Sequence, residues 1–250
     1  MRLRILLFAV ACAMAPAIAA PAIDEAREDR WAQEVVPAIV VGDPVWLATP
    51  SRAKVLAILA MPAGRPKGGA IVIHGLGVHP DFGMIGGLRT RLADAGYATL
   101  SIQMPVLATG ASRDDYAIAL PAAAERIAAA LMYLRAKGVA PVAIVAHSFG
   151  AVMADAYLAR PDAAPIDAWV PIGMPADFSK DPREPVLDIM AANELPEVAA
   201  AAPLRAKRLP RDRCSRELVI SGADHYFGAN EKELAAAVAD FLDRVAAKDC

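Results

Sequence analysis

The sequence predicts an α/β fold with a mostly parallel central sheet and helices on both of its faces. Short apolar runs alternate with helical segments through most of the chain, which is the order that a parallel sheet requires. The runs are continuous rather than alternating, as expected of strands that are buried on both faces. The chain has 250 residues, which suits one domain with its own hydrophobic core.

The expected elements follow an N-terminal segment, residues 20–53, that is predicted to be irregular and contains Pro37 and Pro44. The folded domain is then predicted over residues 54–250. Turns rich in glycine and proline separate its elements. The expected strands are 54–61, 69–73, 97–103, 142–146, 168–172, 186–191 and 217–221. The expected helices are 84–95, 121–136, one that begins after Ser148, 196–206 and 231–247.

Residues 1–19 have the pattern of a secretory signal peptide. Arg2 and Arg4 precede an apolar run over residues 5–15, and small residues lead to Ala19, after which we expect cleavage. The alternative is an N-terminal membrane anchor, for which the apolar run is short. The pattern therefore predicts bacterial export to the periplasm or the medium, with no transmembrane span after cleavage.

The predicted export bears on the state of the cysteines. Cleavage would remove Cys12 and leave Cys214 and Cys250, which can pair in an oxidising compartment. The alternative is two free thiols. Neither cysteine has the C-x-x-C spacing of redox or zinc sites, and the sequence predicts no cofactor and no metal.

The charge pattern excludes one class of partner. The formal net charge is −2, and no run of basic residues stands out, so nucleic acid is not an expected partner. The expected partner is a small-molecule or cell-envelope substrate that carries an acyl group. The oligomeric state is left open.

The stretch Ala146-His147-Ser148-Phe149-Gly150 is the main candidate for chemistry. It follows a buried strand and precedes a helix, which is the layout of a nucleophile elbow centred on Ser148. Such a turn needs small residues two positions before and after the serine. Gly150 satisfies this requirement, and Ala146 adds one methyl group. The alternative is a serine that only caps a helix.

His225 is the candidate general base. It follows the last predicted strand, and it is the one histidine of four that lies C-terminal to Ser148. A nucleophile followed by an acid and then by histidine is the order expected for a serine–histidine–acid triad on this kind of sheet. The alternative is a histidine with a purely structural role.

Glu194 is the preferred acid because it lies just past the strand that precedes the last one. There its carboxylate would orient the imidazole of His225. Four other carboxylates remain candidates for the acid. Asp188 lies within that strand, Asp177 and Asp181 follow the preceding strand, and Asp224 adjoins His225.

Two backbone N–H groups are expected to form an oxyanion hole. One is that of Phe149, at the start of the helix that follows the serine. The other comes from His74-Gly75-Leu76-Gly77, where the glycines allow the N–H of Leu76 to face the site. His74 is expected to support this loop rather than to carry protons.

Taken together, these segments resemble the α/β-hydrolase superfamily over nearly all of the mature chain. The matching pieces are residues 74–77, 146–151, 222–227 and Glu194. More narrowly, residues 74–105 and 185–198 resemble a family of exported bacterial α/β-hydrolase-like proteins of unassigned function. In that family the position of Glu194 is usually aspartate. The resemblance implies the α/β-hydrolase fold and a serine hydrolase type of site, and it implies no particular substrate.

The predicted function is hydrolysis of an ester or a related acyl bond. Only residues 173–185 separate the two strands between which many α/β-hydrolases insert a cap, so little or no cap is expected. The site would be lined by loops 78–87, 105–118 and 174–184. The alternatives are acyl transfer, thioester hydrolysis or amide hydrolysis with the same triad, or a non-catalytic periplasmic binding or scaffold protein on this fold.

Overall fold

A computed structural model describes residues 21–250, so the predicted signal peptide lies outside the described residues. Eight strands form one sheet in the spatial order β1-β2-β4-β3-β5-β6-β7-β8. Strand β2 pairs in antiparallel fashion with both β1 and β4. Strands β4, β3, β5, β6, β7 and β8, in that spatial order, are parallel to one another. The strands are β1 Asp43–Leu47, β2 Val55–Ala60, β3 Gly69–Ile73, β4 Ala98–Ile102, β5 Val142–His147, β6 Ala168–Ile172, β7 Leu187–Asn193 and β8 Arg216–Asp224.

Within residues 21–250, six α-helices pack around the sheet. Apolar residues of α3 and α4 form the core on one face, and those of α2 and α6 form the core on the other. The predicted α/β class is therefore confirmed. The helices are α1 Glu25–Val35, α2 Met84–Asp94, α3 Leu120–Ala136, α4 Phe149–Leu158, α5 Pro196–Ala206 and α6 Glu231–Ala246, and short 3₁₀ helices span Val36–Ala38 and Asp114–Ala119.

The prediction that residues 20–53 are irregular is wrong. They contain helix α1 and the edge strand β1. The buried residues of α1 are Glu28, Ala32 and Val35, so the helix lacks the broad apolar stripe by which an amphipathic helix is recognised. Pro44 is tolerated in β1 because an edge strand has one side without ladder hydrogen bonds.

Helix α1 is anchored by a buried ion pair. The Glu28 carboxylate accepts a hydrogen bond from the Arg126 guanidinium at 2.9 Å and another from the Val106 N–H at 3.1 Å. Arg126 also donates to the Gln103 carbonyl at 3.0 Å. Burial raises the pKa of Glu28, although Arg126 acts in the opposite direction. The anchor compensates for the weak apolar character of the helix.

The helical stretch Asp114–Ala136 is, by length and composition, apolar enough to cross a membrane. Many of its apolar side chains, among them Ile127 and Leu134, lie fully buried against the sheet. Arg126 lies in the middle of the stretch and is paired within the protein. These contacts are those of a core helix, which is apolar around much of its surface because it is buried.

A second buried ion pair supports the loop that follows β6. Asp188 on β7 accepts a hydrogen bond from the Arg205 Nε–H on α5 at 2.8 Å, and both side chains are fully buried. Arg205 also donates to the carbonyls of Met174 and Ala176, at 2.7 and 2.8 Å. Burial raises the pKa of Asp188 to about 6, against the opposing effect of Arg205.

The two cysteines Cys214 and Cys250 form a disulfide in the structure. Cys214 is fully buried and precedes β8, whereas Cys250 follows α6. The bond joins the end of the chain to the start of the last strand, and the Arg213 N–H adds a hydrogen bond to the Cys250 carbonyl at 3.3 Å.

We predict that Arg205→Met destabilises the protein more at high pH than at low pH. At about pH 8 the free energy of unfolding should fall by about 3–5 kcal/mol, because an ionised Asp188 stays buried without its partner. Arg205 lowers the pKa of Asp188 against the effect of burial, so its removal should raise that pKa above 6, and the loss should shrink as the pH falls from 8 towards 6 and the buried carboxylate takes up a proton. Urea unfolding of wild type and variant at several pH values measures this.

The double variant Asp188→Asn/Arg205→Met is the control, since it removes the titrating carboxylate. The free energy of unfolding that this double variant loses relative to wild type should depend much less on pH. A loss for Arg205→Met that is equal at all pH values would contradict the assignment of a buried, ionised Asp188.

Candidate active site

The candidate site lies at the edge of the sheet where the parallel strands end. Five neighbouring strands, β3 and β5 to β8, deliver their following residues to this edge. Because the carboxyl ends of parallel strands share one edge, residues far apart in sequence meet there. The contributing segments start at His74, Ser148, Gly173, Glu194 and His225.

Ser148 lies on a sharp turn between β5 and α4. Its backbone has φ 55° and ψ −129°, a conformation that is strained for any residue with a side chain. A Cβ atom at Gly150 would collide with the His74 carbonyl oxygen, so strand, turn and loop approach one another as closely as backbones can. Ala146 is buried in β5, where its methyl group is accommodated.

The structure brings Ser148, His225 and Glu194 into one chain of hydrogen bonds. The Nε2 atom of His225 lies 2.9 Å from the Ser148 Oγ, and its Nδ1 lies 2.7 Å from a Glu194 carboxylate oxygen. His225 is buried, with 5% of its surface exposed. Both distances are those of ordinary or charge-assisted hydrogen bonds.

The ionisation of Glu194 determines the direction of these bonds. Burial acts to raise its pKa, but hydrogen bonds from His225 and from the N–H groups of Ala191 and Leu195 outweigh burial, so the pKa is lowered. An ionised carboxylate only accepts hydrogen bonds. The Nδ1 of His225 therefore carries the proton, and its Nε2 is free to accept the hydroxyl proton of Ser148.

The four other carboxylates have different partners. Asp188 is paired with Arg205 within the core. The exposed Asp224 accepts a hydrogen bond from the Tyr226 N–H at 3.0 Å. The remaining two, Asp177 and Asp181, both bind Arg208, at 3.1 and 2.7 Å.

The N–H groups of Leu76 and Phe149 are those that the sequence predicts for an oxyanion hole. Phe149 is the first residue of α4, where backbone N–H groups have no partner within the helix. Neither N–H donates a hydrogen bond to another residue in the part of the chain that the structure describes. Gly75 brings the Leu76 loop close to the serine, since a Cβ at position 75 would lie 3.2 Å from the Ser148 Cβ.

His74 supports this loop as a neutral side chain. Burial lowers its pKa to about 3. Its Nδ1 bonds to the Gly75 carbonyl at 2.8 Å, and its Nε2 accepts the Met104 N–H at 2.9 Å. Since a carbonyl only accepts, Nδ1 carries the proton. The ring thereby ties the loop after β3 to the end of β4.

Two further residues at the site were missed in the sequence analysis. His147 donates from Nε2 to the His225 carbonyl at 2.8 Å, and burial, with a contribution from His225, lowers its pKa to about 4. Gly173 has φ 57°, and a Cβ there would lie 3.0 Å from Glu194 and 3.1 Å from His225. Their only sequence signals were a histidine beside the serine and a glycine after a strand.

Arg27 is a third residue that sequence reasoning missed. It projects from α1 and donates to the Leu107 carbonyl at 2.9 Å and to the Gly77 carbonyl at 3.3 Å. Its guanidinium carbon also lies 4.5 Å from the centre of the Trp31 ring. Arg27 therefore links the helix to the loop that contains Leu76, but its charge alone gave no sign of this contact.

A cavity of about 320 Å³ opens beside Ser148, a size typical of small-molecule sites. The loop between β6 and β7 contains no helix and forms no cap over it. The lining is mostly apolar and is formed by Gly75, Leu76, Val78, Phe82, Gly83, Met84, Ile85, His147, Ser148, Leu195, His225, Tyr226, Gly228 and Glu231.

Comparison of the sequence with protein families matches residues 55–125 to a family described as a protein of unknown function, DUF3530. The match covers β2 to the start of α3 and includes the Leu76 loop. A comparison with curated proteins finds no match.

Solved structures with this fold are numerous. An α/β serine hydrolase homologue from Coxiella burnetii is 14% identical with a TM-score of 0.62, over 82% of this chain and 99% of that one. An α/β serine hydrolase without a lid from Xanthomonas campestris is 17% identical, with a TM-score of 0.64, over 82% and 95%. A dienelactone hydrolase from Anabaena variabilis ATCC 29413 is 21% identical, with a TM-score of 0.63, over 81% and 97%.

These likenesses establish the fold. The chain has the α/β-hydrolase fold, and in residues 21–250 no helix is inserted between β6 and β7 of its eight-stranded, mostly parallel sheet. The sequence-based prediction of this fold with little or no cap is confirmed.

We predict that Gly150→Ala destabilises the protein by about 1–3 kcal/mol, because the added methyl group has to displace the His74 carbonyl. Gly228→Ala is the matched control, since a Cβ at position 228 meets no atom within 4 Å. Urea unfolding monitored by circular dichroism compares the two variants. Equal stability of both would show that the turn is less tightly packed than described.

Proposed function

We propose that this protein is a serine hydrolase that cleaves an ester or a related acyl bond. Ser148 is the nucleophile, His225 the general base and Glu194 the residue that orients it. The observation that carries the proposal is the continuous hydrogen-bond chain from Ser148 through His225 to an ionised Glu194. The fold, which it shares with proteins described as serine hydrolases, supports the same reaction class.

The reaction would proceed in two halves. The Ser148 Oγ attacks the acyl carbonyl while His225 Nε2 accepts its proton, and the N–H groups of Leu76 and Phe149 stabilise the oxyanion. His225 then gives the proton to the departing alcohol, which leaves an acyl-serine. Water attacks this ester with His225 again as base, and collapse of the second oxyanion releases the acid and restores the serine hydroxyl.

His74, His147 and Arg27 would act by positioning. His74 and Arg27 hold the two ends of the Leu76 loop through the Gly75 and Gly77 carbonyls. His147 holds the backbone of His225. Preorganised groups of this kind lower the cost of reorganisation during the reaction.

The size and character of the cavity favour a small, mainly apolar acyl or alcohol group. A lidless site would also admit an ester group on a larger molecule of the cell envelope. We further propose that the protein is exported by its predicted signal peptide. The Cys214–Cys250 disulfide supports an oxidising compartment, where such bonds persist.

The first prediction of this proposal concerns Ser148. A fluorophosphonate probe should label the wild type at Ser148 with loss of fluoride, and Ser148→Ala should abolish labelling and lower kcat on short-chain esters by about 10⁶-fold. Mass spectrometry locates the adduct. Unlabelled wild type, or equal labelling of the variant, would instead favour a non-catalytic protein on this fold.

The second prediction concerns the acid. Glu194→Gln should lower kcat by about 10⁴-fold, because an amide no longer enforces the tautomer in which Nδ1 of His225 carries the proton. Asp177→Asn is the control, since Asp177 binds Arg208. Ester turnover by both variants measures the difference. Full activity of Glu194→Gln would remove Glu194 from the triad.

A further inference from the structure

The cavity beside Ser148 contains one charged side chain that the proposed mechanism does not use. Glu231 lines it together with apolar side chains such as Met84 and Ile85. Among the described residues that line the cavity there is no lysine, no arginine and no second carboxylate. A single charge in an otherwise apolar binding cavity is the kind of group that sets specificity.

The packing of helices α2 and α6 makes room for this carboxylate. Glu231 is the first residue of α6, and its carboxylate lies against Gly87 of α2, where a Cβ atom would collide with it. Glycine weakens a helix interior, so helix propensity does not account for Gly87. A side chain at position 87 would require the flexible Glu231 side chain to move away.

Among the described residues, no cation pairs with this carboxylate. Within residues 21–250, Glu231 forms no salt bridge, and no side chain or backbone N–H donates a hydrogen bond to it. Glu231 is partly buried and borders the cavity.

Two aromatic rings of the same cavity are unusually exposed. Phe82 has 51% of its surface accessible and Tyr226 has 67%, and both line the cavity with Glu231. The Tyr226 ring also lies 5.6 Å from the His225 ring. Aromatic faces attract cations, quaternary ammonium groups in particular. The rings and the carboxylate therefore favour the same class of ligand.

We propose that Glu231 is a specificity-determining residue that selects esters with a positively charged group, of the alkylammonium type, on the part of the substrate that enters the cavity. The inference rests on the proposed hydrolase function. Glu231 would attract the cation, and Phe82 and Tyr226 would contact its methyl or methylene groups.

The test compares esters that differ only in charge. One pair is butyrylcholine and its carbon isostere 3,3-dimethylbutyl butyrate, which place the difference on the alcohol side. The other pair is the 4-nitrophenyl esters of 4-(trimethylammonio)butanoic acid and 5,5-dimethylhexanoic acid, which place it on the acyl side. Each kcat/KM is divided by the uncatalysed hydrolysis rate of the same ester, because the charge also alters intrinsic reactivity.

For the wild type, the cationic ester of at least one pair should be preferred by about tenfold, in keeping with a partly desolvated ion pair assisted by aromatic rings. In Glu231→Gln, which keeps the shape and the hydrogen-bonding oxygen, this ratio should fall towards one. Glu233→Gln is the matched control on the same turn of α6: it removes one charge from an exposed residue outside the cavity lining, and it should keep the wild-type ratio.

A wild-type ratio near one in both pairs would overturn the inference. So would a ratio that Glu231→Gln leaves unchanged, or an equal fall in Glu233→Gln, which would indicate a general field of the surface. These outcomes are distinct from failure of the proposed function, in which neither member of a pair is hydrolysed in a Ser148-dependent manner. Thermal unfolding of each variant verifies that it is folded.

Discussion

The close approach of the β5–α4 turn to the loop after β3 is the constraint on which the site depends. Gly150 lies against the His74 carbonyl with no room for a Cβ atom, and Gly75 lies against Ser148. This contact brings the loop that contains Leu76 next to the turn that contains Ser148. It also requires the strained backbone of Ser148, which the surrounding β-sheet and helix hold in place.

Neutral buried polar groups extend this constraint into the surroundings. The pKa values of His74 and His147 are lowered to about 3 and about 4, so both rings stay uncharged near neutral pH and serve as fixed hydrogen-bond partners of backbone groups. A buried polar group is costly unless it is paired. Pairing these rings with the loop carbonyls therefore stabilises the fold and orients the site with the same bonds.

Helix α1 connects the N-terminal part of the chain to the site. Glu28 binds it to the core through Arg126, and Arg27 reaches the loop that contains Leu76. The segment could not be recognised from its sequence because its buried face consists of a paired carboxylate and two small apolar residues. Its helical structure depends on partners that lie about 80 to 100 residues further along the chain.

The sequence by itself determined the fold class, most element boundaries, and the serine and histidine, Ser148 and His225, that the structure brings within hydrogen-bond distance of each other. These features depend on local periodicity and on the order of residues along a parallel sheet, both of which are written into a single chain. Only the tertiary structure decided which carboxylate of five meets His225, that Gly173 and His147 surround it, and that Glu231 borders the cavity. The physical reason is that such contacts join residues distant in sequence, and side-chain distances depend on how strands, loops and helices pack in three dimensions.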